Sequence, residues 1–220
     1  MLSVVIPALD AAAALERSLP ALAGPPVDEI VVVDGGSADA TAALASALGA
    51  RVVGSPRGRG MQLARGVEAA RGDWLLLLHA DTMPAAGWRD AVAGHRAARP
   101  RQAGYFRLAL DDAHPAARRI ERLAAWRCRL LALPYGDQGL LISRALLDEV
   151  GGVRPVALME DVDLVRRLGR ARLAALDAAA LTSAARYRRD GWWARPARNL
   201  GLLALWFAGV SPERLARWYG

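Results

Sequence analysis

Short apolar runs alternate with stretches of helical spacing along the first half of the chain. The run at residues 74–78 is apolar at every position, which is typical of a strand buried on both faces of a parallel sheet. Apolar and β-branched runs predict strands at residues 2–6, 29–33, 51–54, 74–78, 103–110, 140–142, 172–176 and 181–185. Helical spacing and bounding Gly, Pro and capping residues predict helices at residues 11–23, 37–48, 61–70, 84–98, 114–133, 143–150, 159–168 and 192–208, and a last one from residues 211–213. The β-α-β alternation predicts an α/β fold with a mostly parallel, Rossmann-like sheet, flanking helices and C-terminal helices.

Composition limits the size of the protein and its partners. At 220 residues, 54% of them hydrophobic, the chain can bury one full core, and one domain over residues 1–220 is expected. The formal net charge of +7 ordinarily indicates nucleic acid or an anionic membrane surface as a partner. Here all 29 basic residues are Arg and Asn199 is the only Asn, so we attribute the basic balance to codon bias. Because the arginines are also spread along the chain, no nucleic-acid partner is expected.

Three features bear on the compartment. The single cysteine, Cys128, excludes an internal disulfide and a Cys-based zinc site. The N-terminus has no basic region or cleavage site and has the pattern of a first strand, not of a signal peptide. No apolar run approaches the roughly 20 residues that cross a bilayer. A cytoplasmic protein is therefore expected.

Two polar residues end the central apolar run. His79 and Asp81 follow it, at the place where ligands bind beyond the carboxyl ends of strands in open α/β sheets. If the strand continues that far, its period of two places both side chains on one side. An imidazole and a carboxylate there suit a divalent metal or a ribose. The alternative is a strand that ends in two solvated polar residues.

A second candidate site follows the second predicted strand. Asp34 precedes Gly35-Gly36-Ser37, and its carboxylate is suited to accept hydrogen bonds from a nucleobase or a ribose. The same residues also fit a tight turn with a capping Asp at a helix entry. No G-x-G-x-x-G follows the first strand, which argues against a dinucleotide-dependent dehydrogenase.

Charged residues mark two helix starts further along the chain. Arg59 and Gln62 belong to a Gly-Arg-Gly-Met-Gln loop whose guanidinium and backbone donors suit a diphosphate, and a solvated loop is the alternative. Glu160 and Asp161 open a later helix, where the helix dipole alone favours acids. The Asp-Gln pair at residues 137–138 and the Gly-Gly before that helix make Asp161 a candidate general base.

Taken in order, these motifs resemble those of family 2 glycosyltransferases of the GT-A fold. They are a first strand ending in Pro7, Val-Val-Val-Asp-Gly-Gly-Ser, the Gly-Arg-Gly loop, Leu-Leu-Leu-Leu-His-Ala-Asp and Met-Glu-Asp-Val-Asp-Leu. More narrowly, the chain resembles the subgroup labelled rSAM/selenodomain-associated transferase 2. The resemblance covers nearly the whole chain, and the order and spacing of the motifs are more specific than any one of them.

This resemblance implies a GT-A-like domain with a nucleotide-binding half at residues 1–98, an acceptor and catalytic half at 99–190 and C-terminal helices at 191–220. It implies transfer of a sugar, with inversion, from a nucleotide-sugar donor to a hydroxyl acceptor that the sequence does not identify. A UDP-sugar is the favoured donor, and Mn²⁺ or Mg²⁺ is the implied cofactor.

The resemblance assigns roles by position. His79-Ala80-Asp81 stands where the family has Asp-x-Asp, which implies that Asp81 is a metal ligand and His79 a ribose or metal contact. Asp161 stands at the Asp of the Glu-Asp motif, the implied catalytic base, with Glu160 beside it. The implied nucleotide-sugar site comprises Pro7, Asp34, Arg59, Gln62, His79, Ala80, Asp81, Asp137, Gln138 and Arg186.

The chain also departs from the family pattern. Asp34 resembles the acid that contacts the nucleotide base, but Gly35 replaces the second Asp of the usual Asp-Asp-Gly-Ser. His79 replaces the first Asp of Asp-x-Asp, which affects the strength and identity of metal binding. Residues 183–187 have the spacing of the Gln-x-x-Arg-Trp motif with both ends changed, which argues against a processive polymer synthase.

Two other functions stay open on the sequence. A sugar-phosphate nucleotidyltransferase also uses an α/β nucleotide-binding sheet and a metal. A non-catalytic module would instead bind a membrane surface or a polyanion. Residues 192–219 form an apolar surface flanked by arginines, which is expected to pack on the core or form a homodimer contact. The alternative is a peripheral contact with the inner face of an anionic membrane, facing a lipid-linked acceptor.

Overall fold

The computed structural model describes residues 1–219; the last residue of the expected domain, Gly220, lies outside them. Over residues 1–219 the chain forms eight strands: β1 (Leu2–Ala8), β2 (Glu29–Asp34), β3 (Arg51–Gly54), β4 (Trp74–Leu77), β5 (Thr82–Pro84), β6 (Ala103–Leu110), β7 (Leu140–Ser143) and β8 (Leu173–Thr182). Over the same range it forms ten α-helices: α1 (Ala12–Leu22), α2 (Thr41–Ala47), α3 (Arg59–Ala69), α4 (Trp88–Ala98), α5 (Pro115–Leu131), α6 (Arg144–Glu149), α7 (Glu160–Leu168), α8 (Ala185–Asp190), α9 (Ala194–Phe207) and α10 (Pro212–Tyr219).

All eight of these strands join one sheet, in the order β3-β2-β1-β4-β7-β6-β8-β5. β1 to β4 are parallel, β7 runs antiparallel between β4 and β6, and β8 is parallel to β6. β5 closes the far edge antiparallel to β8. The expected mostly parallel α/β sheet is therefore confirmed, with β7 and β5 as the reversed strands.

The core lies on both faces of the sheet. Along β4, Leu76 joins one apolar cluster with α1 and α4, while Leu75 and Leu77 join another with α3, α6 and α7. Successive strand residues point to opposite faces, so burial on both sides requires an apolar residue at every position. This explains why the central run shows no alternation.

Two features at the edges of the parallel half differ from the predictions. β1 continues through Pro7 to Ala8 along its pairing with β2. On the other side, β4 pairs with β1 only as far as Val5, so the missing N–H of Pro7 costs no hydrogen bond to β4. α2 begins at Thr41, not at Ser37 or Ala38, since the Asp39 carboxylate accepts from the Thr41 N–H at 2.9 Å and holds the preceding loop out of the helix.

The second half differs more. The strands predicted at 172–176 and 181–185 are one strand, β8, which is followed by the unpredicted helix α8. Ala and Asp have weak strand propensity, so the middle of β8, around Asp177, gave no strand signal. The helix predicted from residue 84 begins at Trp88, because residues 82–84 pair with β8 as β5.

The C-terminal helices pack partly on the body of the protein. Leu203 of α9 joins a buried cluster with Val162 and Val165 of α7, and Leu215 of α10 is fully buried. Leu200 and Phe207 of α9 remain exposed. Among the helices of residues 1–219, none has the length and apolar character that crossing a bilayer requires.

Candidate active site

A cavity of about 560 Å³ lies beyond the carboxyl ends of β1, β4 and β8; we call it the main cavity. This volume is in the usual range for ligand sites in proteins. The chain reaches it from β1, α1, the start of α3, the segment after β4 and the segment after β8. Its polar side chains and principal backbone contributors are Pro7, Ala8, Asp10, Arg17, Arg57, Arg59, Gln62, His79, Ala80, Asp81, Ser183 and Arg186.

The main cavity is electropositive. Four arginines line it against two carboxylates, Asp10 and Asp81. Clefts lined by one sign of charge concentrate ligands of the opposite sign, so the cavity suits an anion such as a diphosphate. Arg59 adds a second contribution, since it begins the eleven-residue helix α3, whose N-terminus carries positive partial charge.

His79 and Asp81 share a wall of the main cavity, as their spacing after the central strand predicts. Burial lowers the pKa of His79 well below its ordinary value, and the charges of Arg59 and Arg186 lower it further. The imidazole is therefore neutral at neutral pH, the state in which it binds metals. No group of three metal-ligating side chains occurs within residues 1–219. One carboxylate and one imidazole still suit Mg²⁺ or Mn²⁺, because these ions commonly keep positions for water and phosphate oxygens.

A smaller cavity of about 110 Å³, which we call the joining cavity, adjoins the main cavity. It shares Arg59, His79, Asp81, Ser183 and Arg186 with the main cavity. Its remaining wall adds the carboxylates of two further acids and side chains from α8 and α9: Tyr135, Asp137, Asp161, Tyr187, Arg195 and Asn199. Three carboxylates, from distant parts of the sequence, thus border one small space.

Asp161 is held in place by the backbone. Its Oδ2 accepts a hydrogen bond from the Gly136 N–H at 2.7 Å, and its Oδ1 accepts one from the Val162 N–H at 2.8 Å. A Cβ atom at Gly136 would lie 2.5 Å from His79 Nε2 and 3.4 Å from Asp161 Oδ2. Only glycine therefore lets this loop lie between the imidazole and the carboxylate.

Asp137 has an unsatisfied carboxylate oxygen. Its Oδ1 is buried and has no hydrogen-bond partner. Burial raises the pKa of Asp137, and the charges of Asp161 and Asp81 raise it further, while Arg127 and Arg59 oppose this. A buried acceptor of this kind is rare in folded proteins and calls for an explanation, such as a ligand.

Glu160 lies beneath the site, with 2% of its surface exposed. Its Oε1 lies 3.4 Å from Nη1 of Arg59. Burial raises the pKa of Glu160 to about 7, the Arg59 charge opposes the increase, and the Asp161 charge adds to it. Glu160 is thus placed to orient Arg59, and it does not line the main or the joining cavity.

Two predicted contacts lie away from the cavities. Gln138, predicted in the nucleotide-sugar site, is buried in the core, where its Nε2 donates to the Phe106 carbonyl and its Oε1 accepts from Arg127. Asp34 accepts hydrogen bonds from the N–H groups of Gly36 and Ser37, the turn that the sequence offered as its alternative role. Neither residue lines the main cavity.

Gln62 lines the main cavity but is also a structural tie. Its Nε2 donates to the carbonyl oxygens of Ala8, at 2.7 Å, and Val33, at 2.8 Å, which joins the ends of β1 and β2. A Cβ atom at Gly35 would lie 3.0 Å from that nitrogen. The glycine that departs from the family pattern therefore makes room for Gln62.

Several site residues gave no signal in the sequence. Arg17 and Arg57 line the main cavity, but arginines are so frequent in this chain that neither stands out. Asn199 lines the joining cavity from α9 and is the only Asn in the chain, which is the one sign that could have drawn attention to it.

The fold and the site together define an α/β protein with an arginine-lined cavity at the strand ends and acids beside it. Residues 3–105 match the model of Glycosyl transferase family 2, and the resemblance to family 2 glycosyltransferases is confirmed. A search of curated proteins finds no match.

Solved structures show the same fold. Glucosyl-3-phosphoglycerate synthase from Mycobacterium tuberculosis, in complex with Mn²⁺, UDP and glucosyl-3-phosphoglycerate, is 24% identical with a TM-score of 0.60 over 83% of this chain and 70% of that chain. The same enzyme with Mg²⁺ and UDP is 24% identical with a TM-score of 0.59 over 83% and 69%. A mycobacterial protein is 26% identical with a TM-score of 0.60 over 83% and 65%. The GT-A-like fold is thereby confirmed.

Proposed function

We propose that the protein is a metal-dependent, inverting glycosyltransferase that moves a sugar from a UDP-sugar to a hydroxyl acceptor. The observation that carries the proposal is the set of side chains, His79, Asp81 and Arg59 among them, that lines both the electropositive main cavity and the joining cavity, where Asp161 lies. The family 2 match and a structural neighbour bound to Mn²⁺ and UDP-glucose support the same reaction class.

The main cavity is assigned to the donor. Arg59, Arg57 and Arg186 are placed to bind the diphosphate, and Glu160 orients the Arg59 guanidinium. Donors fixed in advance around a leaving group stabilise the charge that develops on it. Pro7 and Ala80 provide backbone walls at the strand ends, where the nucleoside would lie.

Asp81 and His79 are assigned to the metal. They would hold Mn²⁺ or Mg²⁺, which when bound neutralises charge on the leaving diphosphate. Neutral His79 adds a nitrogen ligand or a ribose contact in the place of a carboxylate. The site therefore carries less negative charge. Because Mn²⁺ and Mg²⁺ are hard cations that prefer oxygen ligands, a weaker metal complex is favoured.

Asp161 is assigned as the base. In an inverting transfer the acceptor oxygen attacks the sugar carbon opposite the diphosphate, so its proton must leave on the side away from the diphosphate site. The joining cavity borders the main cavity and holds Asp161, with two backbone N–H groups fixing the carboxylate. A carboxylate within hydrogen-bond reach of the hydroxyl can take this proton.

Calorimetric titration with UDP and UDP-glucose, with Mn²⁺ and with EDTA, tests the donor assignment. We expect binding to require Mn²⁺ and to be lost in Asp81→Asn. Asp90→Asn, which changes an exposed acid on α4, is the control and should bind as the wild type does. Equal affinity in EDTA would refute the metal assignment. Release of pyrophosphate from UTP and glucose 1-phosphate would instead assign a nucleotidyltransferase.

A further inference from the structure

An apolar groove of about 200 Å³ lies between α5 and α9; we call it the apolar groove. Its exposed walls are large apolar side chains, including Leu123, Trp126, Leu131 and Leu200. It adjoins the joining cavity: both spaces are lined by Tyr135, Asp137, Tyr187 and Asn199. The groove therefore lies next to the acids beside the proposed donor site.

Two residues that line both the groove and the joining cavity carry an unsatisfied acceptor atom. Asp137 Oδ1 and Asn199 Oδ1 are each buried without a hydrogen-bond partner, and both residues line both spaces. Buried polar atoms are nearly always hydrogen-bonded, so two together indicate a missing donor. A hydroxyl group supplies such a donor, and a phosphate or carboxylate does not.

The cation beside the groove is already engaged. The Arg127 guanidinium lies 3.4 Å from the centre of the Tyr135 ring and donates to Gln138 Oε1 and to the Leu133 carbonyl. It forms part of the groove wall, and Arg59 and Arg186 of the joining cavity are assigned to the donor diphosphate. An apolar groove beside two unsatisfied acceptor atoms matches an amphiphilic alcohol.

We propose, resting on the function proposed above, that the acceptor is an alcohol with a hydrocarbon tail. The tail lies in the apolar groove, and the polar end, with at least two hydroxyl groups, lies in the joining cavity: one hydroxyl donates to Asp137 or Asn199, and the reacting hydroxyl faces Asp161. In the transfer, the acceptor oxygen forms a bond to the sugar carbon as the bond to UDP breaks. UDP leaves with the electron pair, and the hydroxyl proton passes to Asp161.

The test compares 1-O-octylglycerol with glycerol, which has the same hydroxyl groups and no tail. Binding of each is measured by calorimetry, and transfer is measured with UDP-glucose and Mn²⁺. We expect wild-type protein to bind octylglycerol at least tenfold more tightly than glycerol and to glucosylate it with a lower KM.

Two neighbouring leucines on α5 give a matched pair of variants. Leu131 lines the groove and is 54% exposed, whereas Leu130 does not line it and is 50% exposed. Leu131→Glu should weaken the binding of octylglycerol at least tenfold, so that its gain in affinity over glycerol disappears. Leu130→Glu should keep that gain. Asn199→Leu should raise the KM for octylglycerol at least tenfold without changing UDP affinity.

The outcomes separate this inference from the function that it rests on. Equal affinity for glycerol and octylglycerol, or an unchanged gain in Leu131→Glu, would overturn the groove proposal while UDP binding stays intact. Absence of Mn²⁺-dependent UDP binding in the wild type would refute the glycosyltransferase itself. A homodimer, or binding to anionic vesicles, that Leu131→Glu abolishes without changing octylglycerol binding would assign the groove to that partner and overturn the proposal.

Discussion

Gly136 occupies a crowded position at the proposed catalytic centre. Its N–H positions Asp161, and the space where a side chain would begin is filled by His79. One residue thus sets the spacing between a group assigned to the donor side and the proposed base. Displacements of about 1 Å in an active site can cost 10²-fold in rate.

We expect Gly136→Ala to reduce kcat about 10- to 100-fold, because the methyl group would push the imidazole or the loop away. Steady-state kinetics and a melting curve check this together. Gly94→Ala is the control: nothing lies within 4 Å of a Cβ there, so activity should not change and stability should rise by up to about 1 kcal/mol. Normal turnover by Gly136→Ala would show that the loop adjusts freely.

The proposed base gives a second prediction at this scale. Asp161→Asn keeps the shape of the side chain and removes its basicity, so turnover should fall by about 10²-fold or more while UDP still binds. Asp163→Asn removes another carboxylate from the same helix, one that forms ion pairs with Arg154 and Arg167. It therefore shows whether losing any acid on this helix lowers turnover. If Asp161→Asn transfers sugar at a near-normal rate, the base is another group.

The raised pKa of Glu160 predicts that the stability of the protein depends on pH. Because its folded-state pKa is raised from about 4.5 to about 7, the folded protein binds the extra proton between these values. The associated stabilisation is complete below about pH 4.5 and is lost as the pH rises through 7. Urea unfolding at pH 5 and pH 8 should show a larger loss of stability for the wild type than for Glu160→Gln. Glu16→Gln, at an exposed site, should follow the wild type, and parallel profiles for all three would contradict the shift.

Position in an element decided which site residues the sequence could predict. His79, Asp81 and Asp161 follow a strand or begin a helix, so the fold rules alone bring them to one edge of the sheet. Arg17 and Asn199 lie inside helices, and only the packing of α1 and α9 shows which way they face. Gln138 was misplaced because its sequence neighbour Asp137 faces the cavity while its own side chain turns into the core.

At the scale of elements, α1 depends on a neighbour for its C-terminal end. The last turn of α1 contains no basic residue, although cations are favoured there. Arg89 of α4 supplies the charge and donates to the carbonyl oxygens of Ala21, Ala23, Gly24 and Pro25. Since α1 also presents Arg17 to the main cavity, this contact fixes one wall of the site.

Arg89→Met should therefore lower the free energy of unfolding by about 1–3 kcal/mol, because several charge-assisted hydrogen bonds are lost at once. Denaturant titration measures this. Arg101→Met replaces an exposed arginine elsewhere and should change stability by less than about 0.5 kcal/mol. Equal effects of the two substitutions would mean that solvent replaces the Arg89 contacts at no cost.

Element prediction succeeded where burial on both faces imposes a continuous apolar run, as in β2 and β4. It failed in β8, where Ala175 and Asp177 face solvent from a strand that pairing on both sides holds in place. A strand that tertiary pairing creates leaves little trace in its own residues.

For the molecule as a whole, the spread of the arginines along the sequence does not predict where they lie in space. The arginines are dispersed in sequence, yet four of them converge on the main cavity because the fold joins α1, the start of α3 and α8 there. Dispersal along a chain says nothing about convergence in space. The local field at the site, and not the net charge, selects the ligand.

The main cavity and the apolar groove share no lining residue, and each shares lining residues with the joining cavity. Neither ligand has to pass through the other's site, so nothing compels one to arrive first. Calorimetry should show octylglycerol binding to enzyme free of nucleotide and UDP-glucose with Mn²⁺ binding to enzyme free of the alcohol, whereas a compulsory order would abolish one of the two. Separate walls for the two substrates would thus make this a random-order enzyme, in which a tail still seated in its groove does not hold back the departing nucleotide.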